Sequence, residues 1–289
     1  MNSHAQDDRI LPEVRAIGAG VVLVLVAAVI ILYGMPAETE RFWAWTIRPR
    51  MTPIVMGASY AAGAYFFVRV VTETRWHRVG AGFLPITLFT WLMTLATFLH
   101  WDRFNRDHFA FFAWFGVYIA TAVLVPALWL RNRGHDPGTP EPDEVILPRS
   151  VRIALAATGI VILVLCAVMW LLPLEVIPYW PWRLTPLTTR VLGGFFALTG
   201  ASVVFVAADR RWSAGRVFIE TAIIGTTLIL LGTARAWNNF NADESTRWLW
   251  VFSMIAGLFA LSALYLAMQM RQRRGASAGQ AAGAHTPTT

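Results

Sequence analysis

The sequence predicts an all-α integral membrane protein of eight transmembrane helices, arranged as two parallel four-helix repeats (4+4). Three observations predict it. Hydrophobic residues make up 56% of the 289 positions and charged ones only 14%, against the quarter usual in soluble domains. The apolar residues gather into eight runs, and a bilayer core is crossed by about 20 helical residues. The second half also repeats the first. At an offset of 137, Val14-Arg15 falls on Val151-Arg152, Pro36 on Pro173, Trp43 on Trp180, Trp45 on Trp182, Pro49 on Pro186, Gly57 on Gly194 and Gly63 on Gly200. After one deletion the offset is 136, and Arg75-Trp76, Trp101, Phe104, Asn105 and Trp114 fall on Arg211-Trp212, Trp237, Phe240, Asn241 and Trp250. Chance likeness of apolar helices would not keep tryptophans and prolines in step. Short strands of alternating polarity are absent, which argues against a β-barrel.

The elements follow in order. Residues 1–13 are a polar lead. The first span, Ala16–Met35, follows Arg9 and Arg15 and has the form of a signal-peptide core. Its repeat partner Ile153–Leu172 lies mid-chain, so the first span is expected to be retained. The second and sixth spans, Pro53–Val71 and Val191–Ala208, hold the small residues Gly57, Ala61, Ala62, Gly63 and Ala64, and Gly193, Gly194, Gly200 and Ala201. Small residues let helices approach closely in lipid, which places these two spans at the interface between the halves. The third span, Val79–Leu99, carries Pro85 as the one expected kink, replaced by Thr221 in the seventh, Val217–Ala234. Phe109–Leu130 and Trp248–Met268 complete the two units, 14–131 and 149–274. Between them, residues 132–148 (NRGHDPGTPEPDEVILP) read as a cytoplasmic linker ending in Ile146-Leu147-Pro148, an echo of Ile10-Leu11-Pro12. Residues 275–289 are small, polar and uncharged, the composition of a disordered tail.

Four spans per unit bring each unit back to the side it left, so the repeats are parallel about an axis along the membrane normal. With both termini inside, 15 of the 24 basic residues, all arginine, face the cytoplasm. This favours N-in and C-in in the plasma (inner) membrane. Arginines scattered at span ends set topology and give no reason to expect nucleic acid. The single cysteine, Cys166, cannot form an intrachain disulfide.

Two motifs recur on the outer side. W-x-W-x-[IL]-x-P-x-x-T spans Trp43–Thr52 and Trp180–Thr189, and W-[DN]-x-F-N spans Trp101–Asn105 and Trp237–Asn241. One account is anchoring and capping. Tryptophan suits the headgroup level; Thr52 and Thr189 could cap the second and sixth spans; Asn105 or Asp107, with Asn241 or Asp243, could cap the fourth and eighth. The other account is a ligand site. Loops bearing Trp43, Trp45, Trp180 and Trp182, with Trp101 and Trp237, would frame an aromatic mouth around the axis. There the halves differ: Leu99-His100-Trp101-Asp102-Arg103 faces Arg235-Ala236-Trp237-Asn238-Asn239. His100, Asp102, Arg235 and Asn238 are therefore the residues expected to distinguish one asymmetric ligand, with His100 a candidate proton carrier. Glu220 is the one carboxylate well inside a span, a functional candidate by position and equally a partner for Arg216.

No Gly-rich phosphate loop or Ser-centred nucleophile motif is present, and no cofactor pattern appears. His100, Asp102 and His108 offer metal ligands, but in one half only and at no closed-site spacing, so no metal is assigned. The first functional expectation is transporter-like binding of a small or lipidic solute between the units. The alternatives are a scaffold docking a membrane or extracytoplasmic protein through its aromatic surface, and an enzyme on a lipid-linked substrate with Asp102 as acid or base. The enzyme reading lacks a second placed catalytic group.

Overall fold

The computed structural model describes residues 7–283 except Pro142, Ala242 and Asp243, and side chains as far as Gly275 except that of Glu244. Eight long helices order the chain: α1 (Pro12–Val29, prolonged by a wider turn over Ile30–Gly34), α2 (Met51–Thr72), α3 (Phe83–Leu99), α4 (Phe109–Asn132), α5 (Arg149–Leu171), α6 (Pro186–Ala208), α7 (Trp212–Arg235) and α8 (Glu244–Gly283). Each belongs to a segment long and apolar enough to cross a membrane, as a multi-pass membrane protein requires. No strand forms among the described residues. The backbone of residues 275–283, expected to be disordered, continues α8; residues 284–289 lie outside the described residues.

Side-chain size decides the layering. The glycine-bearing helices α2 and α6 are the most enclosed. Helix α2 packs against α1 and α7, and α6 against α5 and α3, while α4 lies on α3 and α8 on α7. A Cβ added at Gly57 would lie 2.7 Å from the Tyr33 backbone nitrogen, one at Gly200 2.9 Å from the Gly159 carbonyl oxygen, and one at Gly225 3.0 Å from Ala62. Hydrogen at these positions is what permits the approach. As the small residues predict, α2 and α6 lie where the two halves of the chain meet.

The helix boundaries correct several expectations. Pro85 falls in the first turn of α3, where proline displaces no helical donor, so it is not the expected kink. The interior proline is Pro126 in α4. It deprives the Ala122 carbonyl of its helical partner, and the Trp91 indole N–H of α3 donates to that oxygen at 2.8 Å. Helix α4 is capped by His108, whose Nδ1 accepts from the Ala110 N–H, and not by Asn105 or Asp107. Helix α6 is capped by Thr185 in a reciprocal bond with Thr188, because Pro186 occupies the first helical position; Thr189 lies inside the first turn. Thr52 likewise sits inside the first turn of α2. Asn241 donates its amide to the Trp180 carbonyl instead of capping α8, and Asp243 lies outside the described residues.

Contacts at the two ends of the bundle come in matching pairs. At the end bearing the tryptophan loops, the Asn105 N–H donates to Ala44 O (2.9 Å) and the Asn241 N–H to Pro181 O (2.8 Å). Beneath them the Trp114 indole donates to Thr97 and the Trp250 indole to Thr233. At the linker end, Arg9 pairs with Arg75 and Ile146 with Arg211 in single antiparallel bridges. The Trp76 N–H donates to Asp8 O, and the Trp212 N–H to Val145 O. Arg15 donates to the Val71 and Glu73 carbonyls, Arg152 to those of Ala207 and Ala208.

Candidate functional sites at the two ends of the bundle

At the tryptophan end, the aromatic loops turn inward. Trp45, Trp180 and Trp182 are buried, and Trp45 meets Trp114 edge-on at 4.9 Å much as Trp182 meets Trp250 at 5.0 Å. Trp43 packs on Trp114 and Tyr60. Trp101 stacks on Phe98, and Trp237 lies against Phe240 and Trp248. These six rings pack into the core of this end in both halves, and of them Trp180 alone also lines one of the two openings described below. One of them bridges the halves: the Trp182 indole donates to Thr52 Oγ1 at 2.9 Å. At the matching position Thr189 turns its hydroxyl to the Thr185 carbonyl, and the Trp45 indole N–H has no acceptor among the described residues.

The residues singled out for asymmetry divide between capping and an open pocket. The last carbonyls of a helix attract cations. Arg235 donates to the Tyr33 and Gly34 carbonyls at the end of the first span, at 2.7 and 3.1 Å. At the matching end of α5, Arg190 donates to the Trp170 carbonyl at 3.1 Å and to His100 Nε2 at 2.8 Å. Burial and the adjacent Arg190 charge hold the His100 imidazole below its ordinary pKa. Asp102 is exposed and pairs with its neighbour Arg103.

Between the halves a pocket of about 240 Å³ is lined by Pro36, Arg50 and Ile54 on one side and by Arg235, Ala236, Asn238 and Asn239 on the other. Arg50 has no ion pair or side-chain hydrogen bond among the described residues. The pocket therefore offers the Arg50 guanidinium, the N–H groups of Arg235 not given to Tyr33 and Gly34, and two carboxamides. At the matching positions of the other half stand Leu187, Leu99, Asp102 and Arg103: both arginines become leucine, and one amide becomes a carboxylate. An apolar groove of about 440 Å³ lies apart from it, between α5, α6 and α8 and walled by Trp180, Phe196 and Leu249.

At the linker end, charge is concentrated and paired. Glu220 accepts from Tyr65 (2.6 Å), Arg216 (2.9 Å), Tyr265 (3.1 Å) and Arg69. Arg69 also holds Glu73, which pairs with Arg78. Burial alone would raise the Glu73 carboxyl, but Arg69 and Arg78 hold it below the usual carboxylate range. Arg78 and Arg75 reach Glu141 of the linker. Arg211 is raised above its ordinary value by the hydrogen bonds it donates to Asp136 and Asp209, which outweigh its burial. Asp136 is correspondingly lowered, its burial outweighed by Arg211 and the Gly138 N–H.

In the middle of this cluster is His77, 3% exposed. Its Nδ1 meets Asp8 at 2.5 Å, and its backbone N–H donates to the same carboxylate. To place that carboxylate, Asp8 adopts φ +53°, a left-handed conformation that aspartate tolerates better than most residues. His77 Nε2 faces Ser213 Oγ at 3.0 Å and Glu141 Oε1 at 3.2 Å. The order Asp8, His77, Ser213 imitates a nucleophile relay. However, the Ser213 hydroxyl and N–H both donate to Glu144, at 2.5 and 2.9 Å. A carboxylate thus stands where an oxyanion would need stabilising, which disfavours acyl transfer.

Sequence reasoning missed this cluster because its members come from the polar lead, the linker and two span ends. One signal existed: His77 and Ser213 are matching positions, 136 apart, at which the halves disagree. No protein-family model, curated protein or solved structure matches the chain.

Proposed function

We propose that the chain consists of two parallel four-helix units, N-in and C-in in the cytoplasmic membrane, and binds the anionic group of a small or lipidic solute at the outer mouth between them. The repeat is supported by the matched hydrogen bonds at both ends, whose partners stand 137 or 136 residues apart. The pocket carries the functional reading. Arg50 and Arg235, one from each unit, converge with Asn238 and Asn239, whereas the matching positions have leucines for both arginines. Planar guanidiniums bind carboxylate or phosphate through paired hydrogen bonds.

Packing beneath the pocket favours holding the solute over passing it. A Cβ at Gly232 would lie 2.2 Å from Ile54, and the Tyr33 hydroxyl crosses to the Leu228 carbonyl at 3.0 Å. A transport cycle would have to part these contacts.

The test uses the full chain in neutral detergent. Thermal stability is followed against phosphatidylglycerol, phosphatidylcholine and inorganic phosphate, for wild type and Arg50→Gln. The anionic lipid or phosphate should stabilise the wild type, with phosphatidylcholine inert. Which of the two acts separates a headgroup from a free anion. Loss of one charge-assisted pair, about 1.5–3 kcal/mol, should weaken binding at least about 10-fold in Arg50→Gln. Equal stabilisation of both proteins, or none of the wild type, would refute the reading.

A further inference from the structure

His77 and the linker carry a second site, at the opposite end of the molecule from the pocket. His77 Nε2 and carboxylate oxygens of Glu141 and Glu144 all lie within 4.8 Å of one another. Nε2 faces Glu141 Oε1 at 3.2 Å and Ser213 Oγ at 3.0 Å. A carboxylate only accepts, and the Ser213 hydroxyl is already donated to Glu144. Neither oxygen donates to Nε2, so these contacts are made either by a proton on Nε2 or by a cation shared among the donor atoms. We propose that His77, Glu141 and Glu144, with the Ser213 hydroxyl as fourth donor, bind one divalent first-row transition-metal ion.

Three features of the cluster carry this. Donors bound at about 2.0–2.2 Å to a common ion stand roughly 3.0–3.5 Å apart, which is the spacing of Nε2 from its two nearest oxygens. A second imidazole proton on Nε2 could serve one acceptor, whereas an ion serves both carboxylates and the hydroxyl together. The surroundings are also those of a metal ligand set. Asp8 on Nδ1 fixes the ring orientation, in the carboxylate–histidine–metal arrangement. Arg75 and Arg78 hold the Glu141 carboxylate, as outer groups commonly do for ligating carboxylates. One nitrogen with harder oxygens suits zinc or manganese and disfavours the thiolate-seeking ions.

The ligands come from the start of the third span, the linker and the start of α7, so the ion would fasten the linker across both halves of the chain. Full-length protein in detergent, stripped with chelator, is titrated calorimetrically with zinc chloride and with manganese chloride. The wild type should bind one ion per chain. Glu144→Gln, a change in the part-exposed linker, should weaken binding at least about 10-fold while leaving the helical circular dichroism unchanged. Chelator should also speed proteolytic cleavage within 132–148 in the wild type. Absence of ion uptake by the wild type, or equal affinity in Glu144→Gln, overturns the proposal.

Discussion

Trp91 lies midway along α3 and is half exposed, yet its indole N–H is not free. It donates to the Ala122 carbonyl that Pro126 leaves without a helical partner. In hydrocarbon an orphaned carbonyl has no water to turn to, so residues on neighbouring helices are tied by one missing proton. Trp91→Phe should cost about 1 kcal/mol. In a Pro126→Ala background the restored N–H serves Ala122, and the cost of Trp91→Phe should fall by at least half. Thermal unfolding of the four proteins in detergent measures the coupling, and strictly additive losses would show that the two residues act independently. Sequence alone offered both residues but not their pairing, since nothing in the local pattern says which helix face reaches Ala122. The same holds for Arg235. Its type and position were legible, but its bonds to Tyr33 and Gly34 depend on where another span ends.

The helices themselves were largely legible, because eight runs of apolar residues leave a chain few other solutions in lipid. Spans read from the sequence match the helices to within about five residues except at the end of the eighth, where α8 runs on from Met268 to Gly283; the other larger differences lie at the starts. Caps are chosen by geometry: His108 and Thr185 won over Asn105 and Thr189 because the chain direction before α4 and α6 points their side chains at free N–H groups. Glycines were legible as packing positions but not by partner. At the α5–α6 crossing, a Cβ on Gly159 would stand 2.8 Å from the Gly200 carbonyl oxygen, a backbone atom that cannot swing aside. Gly159→Ala should therefore cost about 1–3 kcal/mol. Gly116→Ala in α4, with no atom within 4 Å of the new methyl, should be neutral or slightly stabilising. Equal melting temperatures for the two variants would contradict the packing described.

At the scale of the molecule, the proposed orientation puts the tryptophan loops and the two-arginine pocket outside and the histidine cluster inside. Replacing the buried Cys166 with serine leaves a background for single cysteines at exposed Arg41 and part-exposed His135. A membrane-impermeant maleimide applied to intact cells should label Arg41→Cys at once, and His135→Cys only after permeabilisation. The reverse pattern would invert the orientation and move the pocket to the cytoplasmic side.

What the sequence determined by itself is the set of spans and the recurrence of their residues. Hydrophobic length and in-step tryptophans are local or periodic properties that need no partner. It also marked where the halves disagree, and Arg235 and Asn238 do face an opening. The tertiary structure alone decided which disagreements meet. The polar lead and the linker, read as connectors, return to the span ends and bring Asp8, Glu141 and Glu144 around His77 and Ser213. That convergence joins segments up to 205 residues apart (Asp8 to Ser213), and it follows from eight helices being packed into one bundle.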